Sequence, residues 1–448
     1  MVEKVEAPRL ERLPYGIGRL GAVWFMATLG LLALVGLGAY AYSRQLMEGE
    51  IVTGMRDVGT MGGAPWGLYI AFVVYFVGVS FAGITVAALV RVMNLSYLRP
   101  VSRTAELLTV ITLILGAFSV LADVGQPFRA LINLPRYARP MSPFFGTFTL
   151  VISGYLFASL VYFYLAGRRD AYLMAQKDTP FRGFYRLWAA GYRDTPEERK
   201  RHDQTSFWLA LAILPLLVTA HSTLGFVFGI QLGRPGWYSA LQAPGFVMLA
   251  GVSGTGLLIV IAALLRQVLG EREQLNLRVF VWLSNFMTVL ALIYLYFLLA
   301  EMLTAGYAGH HHEARLTQAL LTGRYAWLFW LSGGLLFVSA LMGLAQALTR
   351  RHYLPLIVLT GVLVNIAAIG KRFLIVAPSL TMGNLLPYGE GAYAPTWVEY
   401  SIILGLFALG GLLYTLFMKV FPIMEVVHRE VPVEAPVRAE LQRRSEKQ

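Results

Sequence analysis

Ten apolar runs, each of about 20 residues or more, recur between residues 19 and 421, and no other feature constrains the fold as strongly. A helix rising 1.5 Å per residue covers a hydrocarbon core of roughly 30 Å with such a run, and in that medium the backbone must satisfy its own hydrogen bonds. The runs lie at 19–42, 65–90, 105–122, 143–166, 206–229, 243–265, 279–303, 324–348, 353–376 and 397–421. With 57% hydrophobic and 14% charged residues the chain is too oily for a set of soluble domains, so an all-α integral membrane fold with ten transmembrane helices is expected. The opening segment MVEKVEAPRLERLPYGIGRL lacks a short apolar core followed by a small-residue cleavage site, so the first span is expected to be retained.

The net charge of +12 is distributed unevenly. With ten spans both termini share one side. That side carries 27 of the 37 Lys and Arg, the opposite side carries 8, and the last two are Lys371 and Arg372 inside the ninth span. By the positive-inside rule residues 1–18 and the tail 422–448 are expected on the cytoplasmic side, with 19–421 as the membrane domain. The basic charge is thus assigned to membrane lipids rather than to nucleic acid.

There is no cysteine, which excludes disulfides, iron–sulfur clusters and thiolate metal sites in this chain. Of the seven histidines only His221 falls within a span, so no haem is expected either. His310, His311 and His312 read as a solvated loop, and no metal site is expected. Any redox role must borrow its centres.

A weak repeat is visible. The second span opens with Ala64-Pro65 and carries SFAG before Arg91; the sixth opens with Ala243-Pro244 and carries SGTG before Arg266. An even offset gives both copies one orientation, predicting two side-by-side four-helix bundles, spans two to five (65–229) and six to nine (243–376), flanked by the first and tenth spans. Gly78, Gly83, Gly251 and Gly256 permit close helix contact. In the basic loop 167–205, Phe181, Phe184, Tyr185, Trp188 and Tyr192 fall at helical spacing, the pattern of a helix lying on anionic lipid.

Lys371 and Arg372 lie about seven residues past the middle of the ninth span, roughly 10 Å toward the far face, with Pro378 expected to end the span. Other helices bring polar residues to the same depth. The third closes with SVLADVGQPFR, supplying Asp123, Gln126 and Arg129; the fifth closes with VTAHSTLG, supplying His221 and Ser222. The seventh reaches Glu301, and the tenth opens with YAPTWVEY, supplying Tyr393, Thr396 and Glu399. Trp66, Trp237 and Trp397 lie close in sequence, and the midplane holds little beyond Asn285 and Asn365. One reading takes these as loop-flanking charges that snorkel and pair, with the tryptophans as belt anchors. The other takes them as lining for a quinone, whose ring carbonyls need donors and whose chemistry needs proton carriers such as Asp123 and His221.

The stretches APWGLYIAFVVYFVGVSFAG, ADVGQPFR, ARPMSPFFGTF, AHSTLGFVFG, PGWYSALQAPGFVMLAGVSGTG, KRFLIVAPSL, YAPTWVEYSIILGLFALGGLLY and KVFPIMEV, in this order, resemble the NrfD/PsrC-like family of membrane subunits, typified by the polysulfide reductase anchor. The resemblance is closest to its ten-helix branch of ActC, HybB and DsrP types. It implies a cofactor-free subunit that exchanges electrons between a quinone, menaquinone or ubiquinone, and a ferredoxin-like iron–sulfur subunit, commonly periplasmic. The wider complex would contain a molybdopterin enzyme, a hydrogenase or a multihaem cytochrome c. It carries Asp123 and His221 over as the catalytic candidates at the quinone site, with Arg129, Arg372 and Glu399 beside them; Gln126, Glu301, Lys371 and Thr396 join by position. One departure is Val227, where relatives place an acidic residue six positions after the histidine. A secondary transporter and a purely structural anchor are the rival readings. Against the transporter stand a parallel repeat and a nearly bare midplane.

Overall fold

The computed structural model describes residues 13–58, 64–137, 139, 141, 147–382 and 390–426. Its helices are α1 (Ala22–Glu48), α2 (Leu68–Val92), α3 (Arg99–Asp123), α4 (Pro127–Tyr137), α5 (Phe148–Ala175), α6 (Arg182–Ala189), α7 (Pro196–Gly229), α8 (Gln242–Leu269), α9 (Leu277–Ala308), α10 (His311–Leu321), α11 (Ala326–Thr349), α12 (Leu354–Thr381) and α13 (Trp397–Val420). Ten are long and apolar enough to cross a membrane; α4, α6 and α10 are short. No strand occurs among the described residues. One end of the assembly, where α1 begins and α13 finishes, is the near end, and the other is the far end.

Helices α2, α3, α5 and α7 close a cycle in which each packs on two of the others, and α8, α9, α11 and α12 close a second cycle. The cycles meet along α2 and α8, the two helices that carry the sequence repeat, with α7 touching α8 and α12 touching α2. Flanking helix α1 pairs with α13, which leans on α3. Burial follows from this order: α2 is enclosed almost throughout, whereas α1 presents Val23, Phe25 and Met26 outward.

Small residues set the central spacing. A Cβ on Gly254 of α8 would lie 2.4 Å from the Val79 carbonyl and 2.7 Å from the Ala82 Cβ, and one on Gly83 would lie 2.3 Å from the Ala105 carbonyl of α3. Helices in lipid associate through such close packing because lipid tails are as apolar as their side chains. A polar tie reinforces the seam. The Tyr75 hydroxyl donates to Asn365 Oδ1 at 2.8 Å, while Asn365 Nδ2 donates to the Gly361 carbonyl at 2.7 Å.

The structure departs from the sequence reading at three places. Helix α3 begins at Arg99 rather than near residue 105, so Arg103 enters the bundle beside Glu106 and both are buried. Helix α12 continues past Pro378 to Thr381. A proline forfeits one N–H but is tolerated with less than one turn left, and Trp237 Nε1 and Thr381 Oγ1 donate to the nearby Ile375 and Pro378 carbonyls at 2.6 and 2.9 Å. The aromatic face expected on lipid instead packs on protein: Tyr185 is buried, Trp188 stacks on Phe421 with centroids 4.6 Å apart, and Ala190, at φ 46°, ends α6 before Tyr192. The near ends of α5 and α13 offer that face Phe163 and Phe421, a better-matched surface than headgroups.

Gly254→Val is expected to force the two cycles apart at a cost of about 1–3 kcal/mol, lowering the thermal midpoint of the detergent-purified protein. Gly333→Ala, at a site with open space around it, should leave the midpoint unchanged.

Candidate functional site

The far-end polar residues form two clusters, not one. The first gathers around Glu399 at the start of α13. Its carboxylate accepts from Gly54 N at 2.7 Å, from Thr396 N at 2.9 Å and from the Tyr393 hydroxyl, which itself accepts from Leu68 N at 2.6 Å. Thr396 and Glu399 constitute a capping box, and Thr396 Oγ1 also donates to the Val52 carbonyl at 3.0 Å. Glu399 is fully buried and its acceptor sites are taken by the chain itself, so it clamps the α1–α2 connection onto α13.

Beside this clamp, Gln45 Nε2 donates to Glu50 Oε1 at 3.1 Å and to the Ala122 carbonyl at 2.8 Å, while Gln45 Oε1 accepts from the Tyr69 hydroxyl at 2.7 Å. Asp123 is half-buried within electrostatic range of Glu50 and Glu399, and its Oδ1 has no hydrogen-bond partner. Gln126 and Arg129 are not drawn in: both are exposed, at and just beyond the start of α4.

The second cluster lies between α8, α9 and α12. Lys371 Nζ is 3.8 Å from Glu301 Oε2, and Gln242 Nε2 donates to Glu301 Oε1 at 3.3 Å and to the Gly236 carbonyl at 2.9 Å. Arg372 is 2% exposed, lays its guanidinium 4.4 Å from the centroid of the Phe246 ring and donates to the Phe246 carbonyl at 3.3 Å. These side chains, with Tyr294, Phe297 and Ile375, line a narrow cleft of about 20 Å³, room for about one water. Trp66 and Trp237 stack at 6.1 Å, and Phe228 meets Trp237 edge-on at 4.9 Å, in an aromatic wall at the same end. Trp397 stands apart, stacked on Tyr40 of α1.

His221 joins the second cluster from behind. Its Nδ1 and Nε2 lie 2.8 Å from the Leu217 and Val77 carbonyls, so the ring ties α7 to α2. A Cβ on the next α2 residue, Gly78, would sit 3.6 Å from Arg372 Nη2. The imidazole and the guanidinium therefore flank one turn of α2. A neutral imidazole has one N–H for these two acceptors, and the tautomer decides which carbonyl receives it.

The comparisons bear on what this frame is. The sequence profile of the family described as polysulphide reductase, NrfD, matches residues 57–383. The chain belongs to the NrfD family. Relatives within reach of this NrfD chain include a Halobacterium salinarum protein named as the membrane subunit of a dimethyl sulfoxide reductase, 30% identical over 91% of this chain and 92% of its own length. A selenate reductase subunit of Mesobacillus selenatarsenatis is 25% identical over 89% and 94%. The Hdr-like menaquinol oxidoreductase integral membrane subunit of Archaeoglobus fulgidus is 25% identical over 90% and 94%. Together with its ten apolar helices, family membership makes the protein a multi-pass integral membrane protein.

At the near end the NrfD chain holds a third polar cluster that the sequence reading missed. Arg103 Nη2 bonds Asp170 Oδ2 at 2.9 Å, Arg103 Nε is 3.5 Å from Glu106 Oε2, and all three residues are at most 2% exposed. The stretch after α13 closes over them: Phe421 lies 5.5 Å from the Arg103 guanidinium, Val426 N donates to Asp170 Oδ1 at 3.2 Å, and Tyr185 donates to the Val420 carbonyl. The available signal was Arg103 and Glu106 at i and i+3 across the start of an apolar run.

Glu399→Gln should remove an acceptor from buried donors and cost about 1–3 kcal/mol, read as a lower thermal midpoint without a change in any ligand affinity. Glu50, between α1 and α2 and outside the spans, has its pKa raised by burial, against which its bonds from Gln45 and Thr53 act, and the like charge of Glu399 adds to the rise. The folded state thus holds this proton more tightly than the unfolded state. Its contribution to stability is greatest below the ordinary carboxylate value and declines as pH climbs toward the raised one. The midpoint of wild type should fall relative to Glu50→Gln across that window; a constant difference would contradict the assignment.

Proposed function

We propose that this protein is the quinone-interacting membrane subunit of an oxidoreductase complex, exchanging electrons between the membrane quinone pool and a ferredoxin-like iron–sulfur subunit docked at the far end. The reading is carried by one observation. Gln242, Glu301, Lys371 and Arg372, from three helices, converge with Tyr294 on a cleft walled by Phe246 and Phe297. A quinone ring needs donors for its carbonyls, a group that exchanges protons and an apolar surround, and this cleft presents each. The relative named as a menaquinol oxidoreductase subunit supports it, as do those named as reductase subunits.

In this reading the 27-to-8 charge asymmetry puts the near end in the cytoplasm, so quinol chemistry takes place at the periplasmic side of an inner membrane. The cleft has room for about one water, so a ring enters only where the lining, which includes Phe297 and Leu298, widens. Glu301 exchanges a proton with the ring oxygen while Lys371 holds its carboxylate, and Asp123, with Glu50 beside it, takes protons onward to the far surface. His221 contributes by holding α2 against the Arg372 guanidinium. The partner supplies the metal centres and, with a molybdopterin enzyme or a multihaem cytochrome c, the terminal chemistry.

The test is quinol-coupled turnover of the purified complex. Asp123→Asn and Glu301→Gln should each lower it by about 100-fold or more while the complex stays fully assembled, as loss of a positioned proton carrier does. Normal turnover in both, or a wild-type complex that binds no quinone analogue, would reject the reading.

A further inference from the structure

Arg372 poses a question that electron transfer alone does not answer. Its guanidinium is buried, and no ion pair to it is present among the described residues; Lys371, its neighbour, takes the Glu301 carboxylate instead. Arg372 makes one hydrogen bond at 3.3 Å and one ring contact, and Nη1 has no hydrogen-bond partner. A cation withdrawn from water with so little compensation is costly, and the near-end Arg103 shows the contrast: it sits between two carboxylates. Desolvated guanidinium groups are well suited to negatively charged oxygen, through charge-assisted N–H bonds.

We propose that Arg372 is the binding site for a single anionic atom held in the cleft between α8, α9 and α12. At its observed volume, about one water, the cleft accommodates one oxygen or one halide. The donor set fits as well. Tyr294 lines the cleft within electrostatic range of both Arg372 and Glu301, and supplies a hydroxyl beside the cation. The Phe246 ring, which also lines the cleft, lies against the guanidinium with its centroid 4.4 Å away. Glu301, neutralised by Lys371, does not compete for the site. The anion has two sources: the deprotonated oxygen of a bound quinol, which rests on the function proposed above, or a free monovalent halide, which does not.

The purified complex is titrated with heptyl-hydroxyquinoline N-oxide, a quinol analogue, and its thermal midpoint is measured in chloride, bromide and gluconate at constant ionic strength. If quinol oxygen is the anion, affinity for the analogue falls about tenfold or more in Arg372→Gln and by a smaller factor in Tyr294→Phe, with no halide response. If a free halide is the anion, chloride and bromide raise the wild-type midpoint above that in gluconate, and the rise shrinks in both variants. A wild type that responds to halide yet binds no analogue sinks the quinone reading and leaves the anion site standing. Analogue affinity and halide response that are alike in wild type, Arg372→Gln and Tyr294→Phe overturn the site. Tyr294→Phe, which removes one oxygen from a partly open cleft, decides the matter alone if Arg372→Gln does not assemble.

Discussion

The approach of α2 to α8 governs everything around it. With glycine at position 254 the α8 backbone comes close to the Val79 carbonyl, and only at that spacing can α7 and α12 each reach the opposite cycle. His221 and Arg372 then arrive on two sides of the same turn of α2, although they lie far apart along the chain. Widening this seam by one methyl group would part the Tyr75 hydroxyl from Asn365 and draw the Gly78 turn away from the Arg372 guanidinium. Polar placement at the far end is in this sense a by-product of small residues elsewhere.

The three polar clusters treat charge differently, and the differences sort their roles. Glu399 is buried but accepts from backbone and phenol donors, which makes it a structural clamp. Arg103 is buried between Glu106 and Asp170 and covered by the chain. Arg372 is buried with its nearest carboxylate given to a neighbour. Bringing a charge into low dielectric without a partner is the least economical of the three arrangements, and such a residue is where chemistry with an outside molecule is to be sought.

How much of this was legible in the sequence depended on which physics set each feature. The ten spans were readable because apolar length alone decides what can cross a bilayer; the repeat at Ala64-Pro65 and Ala243-Pro244 marked two like helices, but not that α2 and α8 pack on each other. The start of α3 was not readable, since Arg103 looks like a loop residue until Asp170, far along the chain, pairs with it. Pro378 looked like a terminator because the donors that serve the last turn come from Trp237 and Thr381. At the site, Glu301, Lys371 and Arg372 line one cleft, but depth along a helix gives no angle around the bundle. Asp123 and Glu399 therefore fell in a separate cluster, Gln126 and Arg129 stayed outside both, and Tyr294 and Gln242, ordinary members of apolar helices, drew no notice.

The covering of Arg103 by Phe421 and of Asp170 by Val426 carries a consequence for biogenesis. Helices α2, α3, α5 and α7 leave the ribosome early, yet the piece that seals their buried ions is made only after the tenth span. Until then a guanidinium and two carboxylates stand under an unfinished roof, reachable by water from the near side. The first half of this protein thus holds its ion pairs without their cover until the last helix has been threaded.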